Sequence, residues 1–341
     1  IPEPSGLAIR TPAGLVFHTG DWKLDTTPLV GAPPDEAKLK ALGQEGVLAL
    51  VCDSTNALRE GRSPSETDVA KSLATIIRNA PRRVAITTFA SNVARIKAIA
   101  DATHAAGRRL VVAGRALHRV ISVAIDTGYL HEGFSYLDQQ YFRDLSADDA
   151  VILCTGSQGE PRAAMARVAE GEHPDISLDK GDLAIFSSRT IPGNEKSVGK
   201  VQNNLARRGV DIITDGEALV HVTGHPRRDE LRDMYSWLKP QICVPMHGEA
   251  RHLKAHAELA RAMGVKSAYT LVSGEMLKIW PEPVGLIDEA PVGRLYRDGH
   301  LIVPDAEGPV RARRKLSFAG IAVVSMTMSR RGDILCEPQV V

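Results

Sequence analysis

Polar residues able to do chemistry recur in this chain just after short apolar runs. Asp21 follows Leu15 to His18, Asp53 follows the run ending in Cys52, and His247 follows Ile242 to Met246. Ser91 and Asn92, Ser157 and Gln158, Ser187 and Ser188, and His221, Thr223 and His225 occupy comparable places. Carboxylates and imidazoles are ligands that Zn²⁺ accepts, and hydroxyls and backbone N–H groups at glycine-rich turns suit a phosphate. Taken singly, each residue has a commoner role. Asp21 reads as a turn or capping aspartate, His247 as a satisfied structural imidazole, and the hydroxyl and amide residues as ordinary helix caps. The set says more than its members, because Asp21, His247 and His225 share one kind of position. Spacing alone defines no metal centre, since neither His-x-His-x-Asp-His nor His-Glu-x-x-His occurs in the 341 residues. His252 and His256 stand at i and i+4 on an expected helix, where packing or solvation is the commoner fate of a histidine.

Such residues need a scaffold that ends its strands on one side. Leu7 to Arg10 and Leu15 to His18 read as strands joined by the turn Thr11-Pro-Ala-Gly14. Ser63 to Asp68 offers a capping box, and Val69, Leu73, Ile76 and Ile77 follow at helical spacing. Strands are then expected at Val84 to Phe89, Leu110 to Ala113, Val151 to Cys154, Leu183 to Ser187 and Val210 to Thr214. Helices are expected over Ser91 to Ala106, from about Ala116, and in the intervals that follow. Strand Leu219 to Val222, helix Arg228 to Leu238, strand Gln241 to Met246 and helix His252 to Met263 continue the pattern. This alternation predicts an α/β fold with a doubly wound parallel sheet covered on both faces, which binds ligands at the carboxyl ends of its strands. The Pro-rich Trp280 to Pro291 reads as a linker. Gly320 to Thr327 reads as a strand and Arg331 to Asp333 as a turn, and both chain ends look like domains cut short.

Composition bounds the function. A 341-residue chain with 43% hydrophobic residues can bury a large core, and its formal charge of +1 leaves any polyanion to a local basic patch. No stretch approaches a membrane span, and Ile1 to Gly6 has no export signal. Cys52, Cys154, Cys243 and Cys336 are scattered and read as reduced core residues, which points to the cytoplasm.

Seven ordered motifs add a family resemblance. His18-Thr-Gly-Asp-Trp-Lys, Cys52-Asp-Ser-Thr-Asn-Ala57, Phe89-Ala-Ser-Asn-Val93, Thr155-Gly-Ser-Gln-Gly-Glu-Pro161, Ile191-Pro-Gly-Asn-Glu195, His221-Val-Thr-Gly-His-Pro226 and the run from Pro245 to His256 resemble ribonuclease J. That family belongs to the β-CASP branch of the metallo-β-lactamase superfamily. The resemblance implies a partial metallo-β-lactamase αββα fold carrying an inserted doubly wound β-CASP domain. It places the metallo-β-lactamase domain at 1–57 and 208–285, the β-CASP domain at 58–207, a linker at 286–310 and the start of a C-terminal domain at 311–341.

The same resemblance implies two Zn²⁺ ions per site, with Mn²⁺ or Mg²⁺ as alternatives, bridged by Asp21 and held in part by His247. Asp53 and His225 become the catalytic pair at the scissile phosphate. Ser91, Asn92, Ser157, Gln158, His221 and Thr223 become the pocket for phosphate and a terminal nucleotide. His247, where other members of the branch carry Val, implies RNA rather than DNA. The family's His-x-His-x-Asp-His motif and a further histidine precede the segment that begins at Ile1. The missing N-terminal segment is therefore expected as a separate fragment or as a piece lost by cleavage. The implied activity is hydrolysis of RNA, 5′-to-3′ from a 5′-monophosphate end and also internally, by a homodimer when intact. Two rivals stand beside it: a non-catalytic RNA-binding scaffold, and a nucleotide-binding α/β protein. The lack of G-x-G-x-x-G and G-x-x-x-x-G-K-[ST] weighs against the second.

Overall fold

The computed structural model describes residues 4–304 and 309–340; residues 305–308 of the expected linker and Val341 of the expected C-terminal domain lie outside the described residues. It divides into a unit ending at Leu271 and a second unit from Val272.

Two sheets organise the first unit. One contains β1 (Leu7–Thr11), β2 (Gly14–His18), β3 (Val47–Asp53), β10 (Ile242–Met246) and β11 (Ser267–Ala268), in that spatial order. β1 and β2 form an antiparallel hairpin, whereas β2, β3, β10 and β11 run parallel. The other sheet is built from the chain between β3 and β10: β4 (Val84–Thr87), β5 (Arg109–Ala113), β6 (Leu137–Asp138), β7 (Ala150–Cys154), β8 (Leu183–Phe186) and β9 (Asp211–Ile213). Its order is β6-β5-β7-β4-β8-β9 and every pairing is parallel. A segment that leaves β3 and returns to β10, its neighbour, has thus built a complete sheet of its own.

The helices are α1 (Glu36–Glu45), α2 (Glu66–Asn79), α3 (Val93–Ala105), α4 (Arg115–Asp126), α5 (Ala164–Glu170), α6 (Glu195–Arg207), α7 (Arg228–Leu238) and α8 (Ala250–Ala262). The start of α2 follows from its sequence: Ser65 Oγ accepts a hydrogen bond from Thr67 N, and the Ser65 N–H donates in turn to Asp68 Oδ2. Removing such a cap costs about 1 kcal/mol. Val69, Leu73 and Ile77 then fall on one face and are buried, each contributing roughly 1.5–3 kcal/mol. One face of the parallel sheet packs Ile86, Val112 and Leu153 against α2, α3 and α4; the other packs Ile152, Ala184 and Phe186 against α5 and α6. The mixed sheet shares a third core with α1, α7 and α8.

Leu219 to Val222 forms no strand. Val220 and Val222 are buried as an alternating pattern requires, but Val220 O accepts from Arg95 Nη1 and Ser187 Oγ rather than from a neighbouring strand. Cys336 is exposed, whereas Cys52, Cys154 and Cys243 are buried and all four are free thiols.

The second unit comprises β12 (Glu275–Lys278), β13 (Gly285–Glu289), β14 (Leu295–Asp298), β15 (Leu301–Pro304), α9 (Pro309–Ala319), β16 (Val324–Ser325) and β17 (Gln339–Val340). Its strands pair as three separate antiparallel couples. The stretch expected as a linker therefore holds most of β13 and the whole β14–β15 hairpin. Of Gly320 to Thr327, only β16 pairs as a strand. Among the described residues no helix is long and apolar enough to cross a membrane.

Candidate metal centre and phosphate pocket

Parallel pairing sets the site. β2, β3 and β10 run the same way, so Asp21, Asp53 and His247 leave one edge of the sheet together. The β3 exit is tied to β10 by Ser54 N donating to Met246 O at 2.7 Å, and to the β2 exit by Thr19 N donating to Val51 O at 3.0 Å. His247 occupies the left-handed region at φ 56°, uncommon for a residue with a side chain, and Gly248 follows at φ 106°. A Cβ on Gly248 would stand 2.9 Å from the His252 Cβ, so the turn that presents His247 requires glycine there.

The geometry separates two pairs. His247 Nε2 lies 3.2 Å from Asp21 Oδ1, and both side chains are about half exposed. Two ligand atoms about 2.0–2.1 Å from one tetrahedral ion are separated by about 3.3 Å, so this pair has the span of two ligands on one Zn²⁺. His225 Nδ1 lies 2.6 Å from Asp53 Oδ2, a charge-assisted hydrogen bond too short to be two ligands of the same ion. Asp21, Asp53 and His225 nevertheless offer ligand atoms that all fall within 4.8 Å of one another. The donor set, carboxylate oxygen with imidazole nitrogen, suits zinc.

Charge in the second pair is strongly biased. Burial alone would raise the Asp53 carboxyl, but the hydrogen bond and charge of His225, with the Thr55 N–H, hold it below the usual carboxylate value. The hydrogen bond to Asp53 raises His225 against its own burial, with the charges of Asp53 and Asp21 adding to the effect. Both shifts act in favour of an ionised carboxylate facing a protonated imidazole.

The neighbouring loop is built by residues the sequence did not single out. Asn56 Nδ2 donates to Thr223 Oγ1 and to His225 O, each at 3.2 Å, and Ser63 Oγ donates to His225 O at 3.2 Å. The His225 N–H also donates to Thr223 Oγ1, so two donors fill that oxygen and its own O–H is left to donate outward. Buried Glu230 accepts from the N–H groups of Leu24, Ser63 and Arg227. Fully buried Arg95 bonds Glu66 through Nε and Nη2, and Ser187 and Val220 through Nη1. Only Asn56 had a signal, its place at a strand exit; nothing in local spacing marks a buried Arg95 or Glu230.

The six residues expected to receive phosphate are not equally available. Asn92 and Thr223 line a cavity of about 830 Å³ that Asp21 and Lys23 also line. Asn92 Oδ1 caps α3 through Arg95 N, and Ser91 is exposed beside the same helix start. His221 is largely buried with Nδ1 unpartnered, and burial, with the charges of Arg95, Arg189 and Lys23, pushes it down to about 3, so it is neutral. Ser157 is buried, with its carbonyl accepting from Ser188 Oγ. Gln158 is committed: Oε1 accepts from Ile191 N and Asn194 Nδ2, and Nε2 donates to Arg189 O. It holds the 189–194 loop instead of presenting a free amide. His252 Nδ1 accepts from Glu249 N at the start of α8, and His256 is wholly buried.

Comparison with known proteins agrees with this architecture. Residues 81–205 match the family described as "Ribonuclease J, beta-CASP domain", and residues 209–271 the "Zn-dependent metallo-hydrolase RNA specificity domain". A metallo-β-lactamase-type sheet carrying an inserted β-CASP domain is the class that fold and matches define. The chain is 53% identical over 341 residues to a ribonuclease J of Sinorhizobium meliloti, covering all of this chain and 60% of that protein. It is 40% identical to one from Corynebacterium glutamicum over 100% of this chain and 48% of the relative, and 37% identical to one from Thermus thermophilus over 95% and 57%. The chain belongs to the ribonuclease J family, and it spans about half to three fifths of the length of these relatives.

Proposed function

We propose that this chain is the core segment of a metal-dependent ribonuclease that hydrolyses RNA phosphodiester bonds. The observation carrying the proposal is the 2.6 Å His225–Asp53 bond lying beside the 3.2 Å His247–Asp21 pair, one suited to proton transfer and the other to holding a cation. Asp21 and His247 would hold Zn²⁺, with Mn²⁺ or Mg²⁺ as substitutes. Two such ions would supply an activated water and neutralise charge on the phosphoryl oxygens.

The chain's own residues do the rest. Asp53 occupies His225 Nδ1, fixing the ring and favouring its protonated form, so Nε2–H is the proton available to the leaving oxygen. The Thr223 hydroxyl donates to a phosphate oxygen because its acceptor positions are filled. Asn92, at the N-terminus of α3, and Lys23 line the same cavity, where a helix N-terminus and a cation favour a 5′-monophosphate, and exposed Ser91 precedes Asn92. The family resemblance adds neutral His221 and buried Ser157 to this set. The relatives' name is the reason to choose RNA. A 5′ phosphate pocket beside the scissile position would support 5′-to-3′ exonuclease action with internal cleavage as a second mode, and the family resemblance is the reason to place the parent protein in the cytoplasm as a dimer. On this reading the β-CASP insertion begins at about residue 58, because α2 packs on α3, whereas β9, paired with β8, carries the parallel sheet past the expected end at 207 to Ile213.

The deciding experiment uses the full-length protein with 5′-monophosphorylated and 5′-hydroxyl RNA, with and without chelator. Zinc-dependent cleavage faster on the monophosphate and lost in His225→Ala is the expected result. Undiminished cleavage by that variant, or RNA binding without cleavage by the metal-loaded wild type, overturns the proposal.

A further inference from the structure

We propose that His256 is a positioning residue for this site, acting through a buried hydrogen-bonded chain that joins the β3 and β10 exits from beneath. His256 Nδ1 lies 2.8 Å from Ser54 Oγ, and Nε2 lies 2.7 Å from the Tyr235 hydroxyl. That hydroxyl lies 2.8 Å from Cys243 Sγ on β10. Ser54 follows Asp53 directly, and its N–H donates to Met246 O immediately before His247. One imidazole therefore touches the hinge between the carboxylate that orients His225 and the turn that presents His247.

The route is local in sequence and long in effect. α8 begins just after His247, Gly248 and Glu249, and its second turn brings His256 back under the loop from which it came. Ser54, Tyr235, Cys243 and His256 are all buried, so water does not compete for these bonds. Burial also pushes His256 down to about 4, keeping the ring neutral with one donor and one acceptor. Ser54 and Tyr235 each have a hydroxyl that can play either role. The chain can run from Ser54 to Cys243 or back, ending in the second sense at Cys52 O, without leaving an atom unpaired. An apolar residue of the same volume would fill the space but take the imidazole from both hydroxyls, leaving Ser54 only its 3.5 Å contact with Cys52 O and Tyr235 only the Cys243 thiol, and so loosening the Asp53 loop. Displacements of about 1 Å at such a group cost up to about a hundredfold in rate.

The activity readout rests on the ribonuclease reading; a second readout does not. Four variants of the full-length protein are compared with wild type: Ser54→Ala, Tyr235→Phe, His256→Leu and His256→Gln. Expected are kcat losses of roughly tenfold for the first two and more for His256→Leu, with KM within about twofold. His256→Gln, which keeps one polar reach, recovers part of the loss. Hydrogen exchange at Ser54 and at 247–249 is expected to accelerate in Ser54→Ala and Tyr235→Phe at temperatures well below melting. Variants that melt earlier while keeping wild-type kcat and wild-type exchange at these amides overturn the proposal. If wild-type protein cleaves no RNA, the ribonuclease reading fails, and exchange alone decides the fate of the His256 chain.

Discussion

The two sheets of this molecule solve different problems. The parallel sheet is buried on both faces and its strands are almost wholly apolar, so its order is set by packing. The mixed sheet carries an edge hairpin with Leu7 and Ile9 exposed, and its strand exits hold charged groups half open to solvent. The difference teaches how the site divides its labour. Where the β-CASP sheet meets the pocket, buried polar groups such as Arg95 and Gln158 already have partners, which makes a rigid wall. At the mixed sheet, Asp21 and His247 lie 3.2 Å apart and half exposed, with Asp53 and His225 close to Asp21.

The largest expected effect would break or sustain that contrast at the mixed sheet. Asp53→Asn and His225→Ala should each lower RNA cleavage by about 10²–10⁴-fold, measured at saturating substrate. A comparable loss from an exposed carboxylate elsewhere would erase the distinction. Chelation should likewise abolish cleavage, and added Zn²⁺ should restore it in wild type but not in Asp21→Ala.

The opposite pattern is expected at the parallel sheet. Arg95→Met leaves the Glu66 carboxylate without its guanidinium partner and removes one of the two donors to Val220 O, and breaking a buried ion pair in this way costs about 3–5 kcal/mol. Denaturant midpoints should fall accordingly, and a melting curve unchanged from wild type would show that Arg95 does not hold the wall.

A smaller effect follows from charge. His225 is raised above 6.5, so its contribution to stability is full below that value and is lost as pH rises through its folded pKa. Asp53 is lowered below 3.8, so its contribution is full above that value and is lost as pH falls through its folded pKa. In chelator, the stability gap between wild type and Asp53→Asn should be widest between these two values and narrow on the alkaline side. A gap that widens with alkalinity would contradict the assigned protonation. The smallest effect concerns the thiols: in native protein Cys336 should react first with a thiol reagent, while Cys52, Cys154 and Cys243 react only on unfolding.

Much of this was legible in the chain. Local rules sufficed for α2, because the Ser65 cap and the Val69, Leu73 and Ile77 spacing act over a few residues. Strand exits marked Asp21, Asp53, His225 and His247, because a polar residue after an apolar run has few other places to go. Leu219 to Val222 misled for the converse reason: its alternation reports burial, and burial does not reveal whether a strand or a guanidinium takes the carbonyl. The sequence by itself determined which residue types stand at the carboxyl ends of the strands and, through ordered motifs, the family to which they belong. Tertiary structure alone decided that Asp53 and His225, 172 positions apart, share a hydrogen bond and that His256 sits beneath them. Contacts of that separation depend on how two sheets close against one another, and no local spacing encodes the distance.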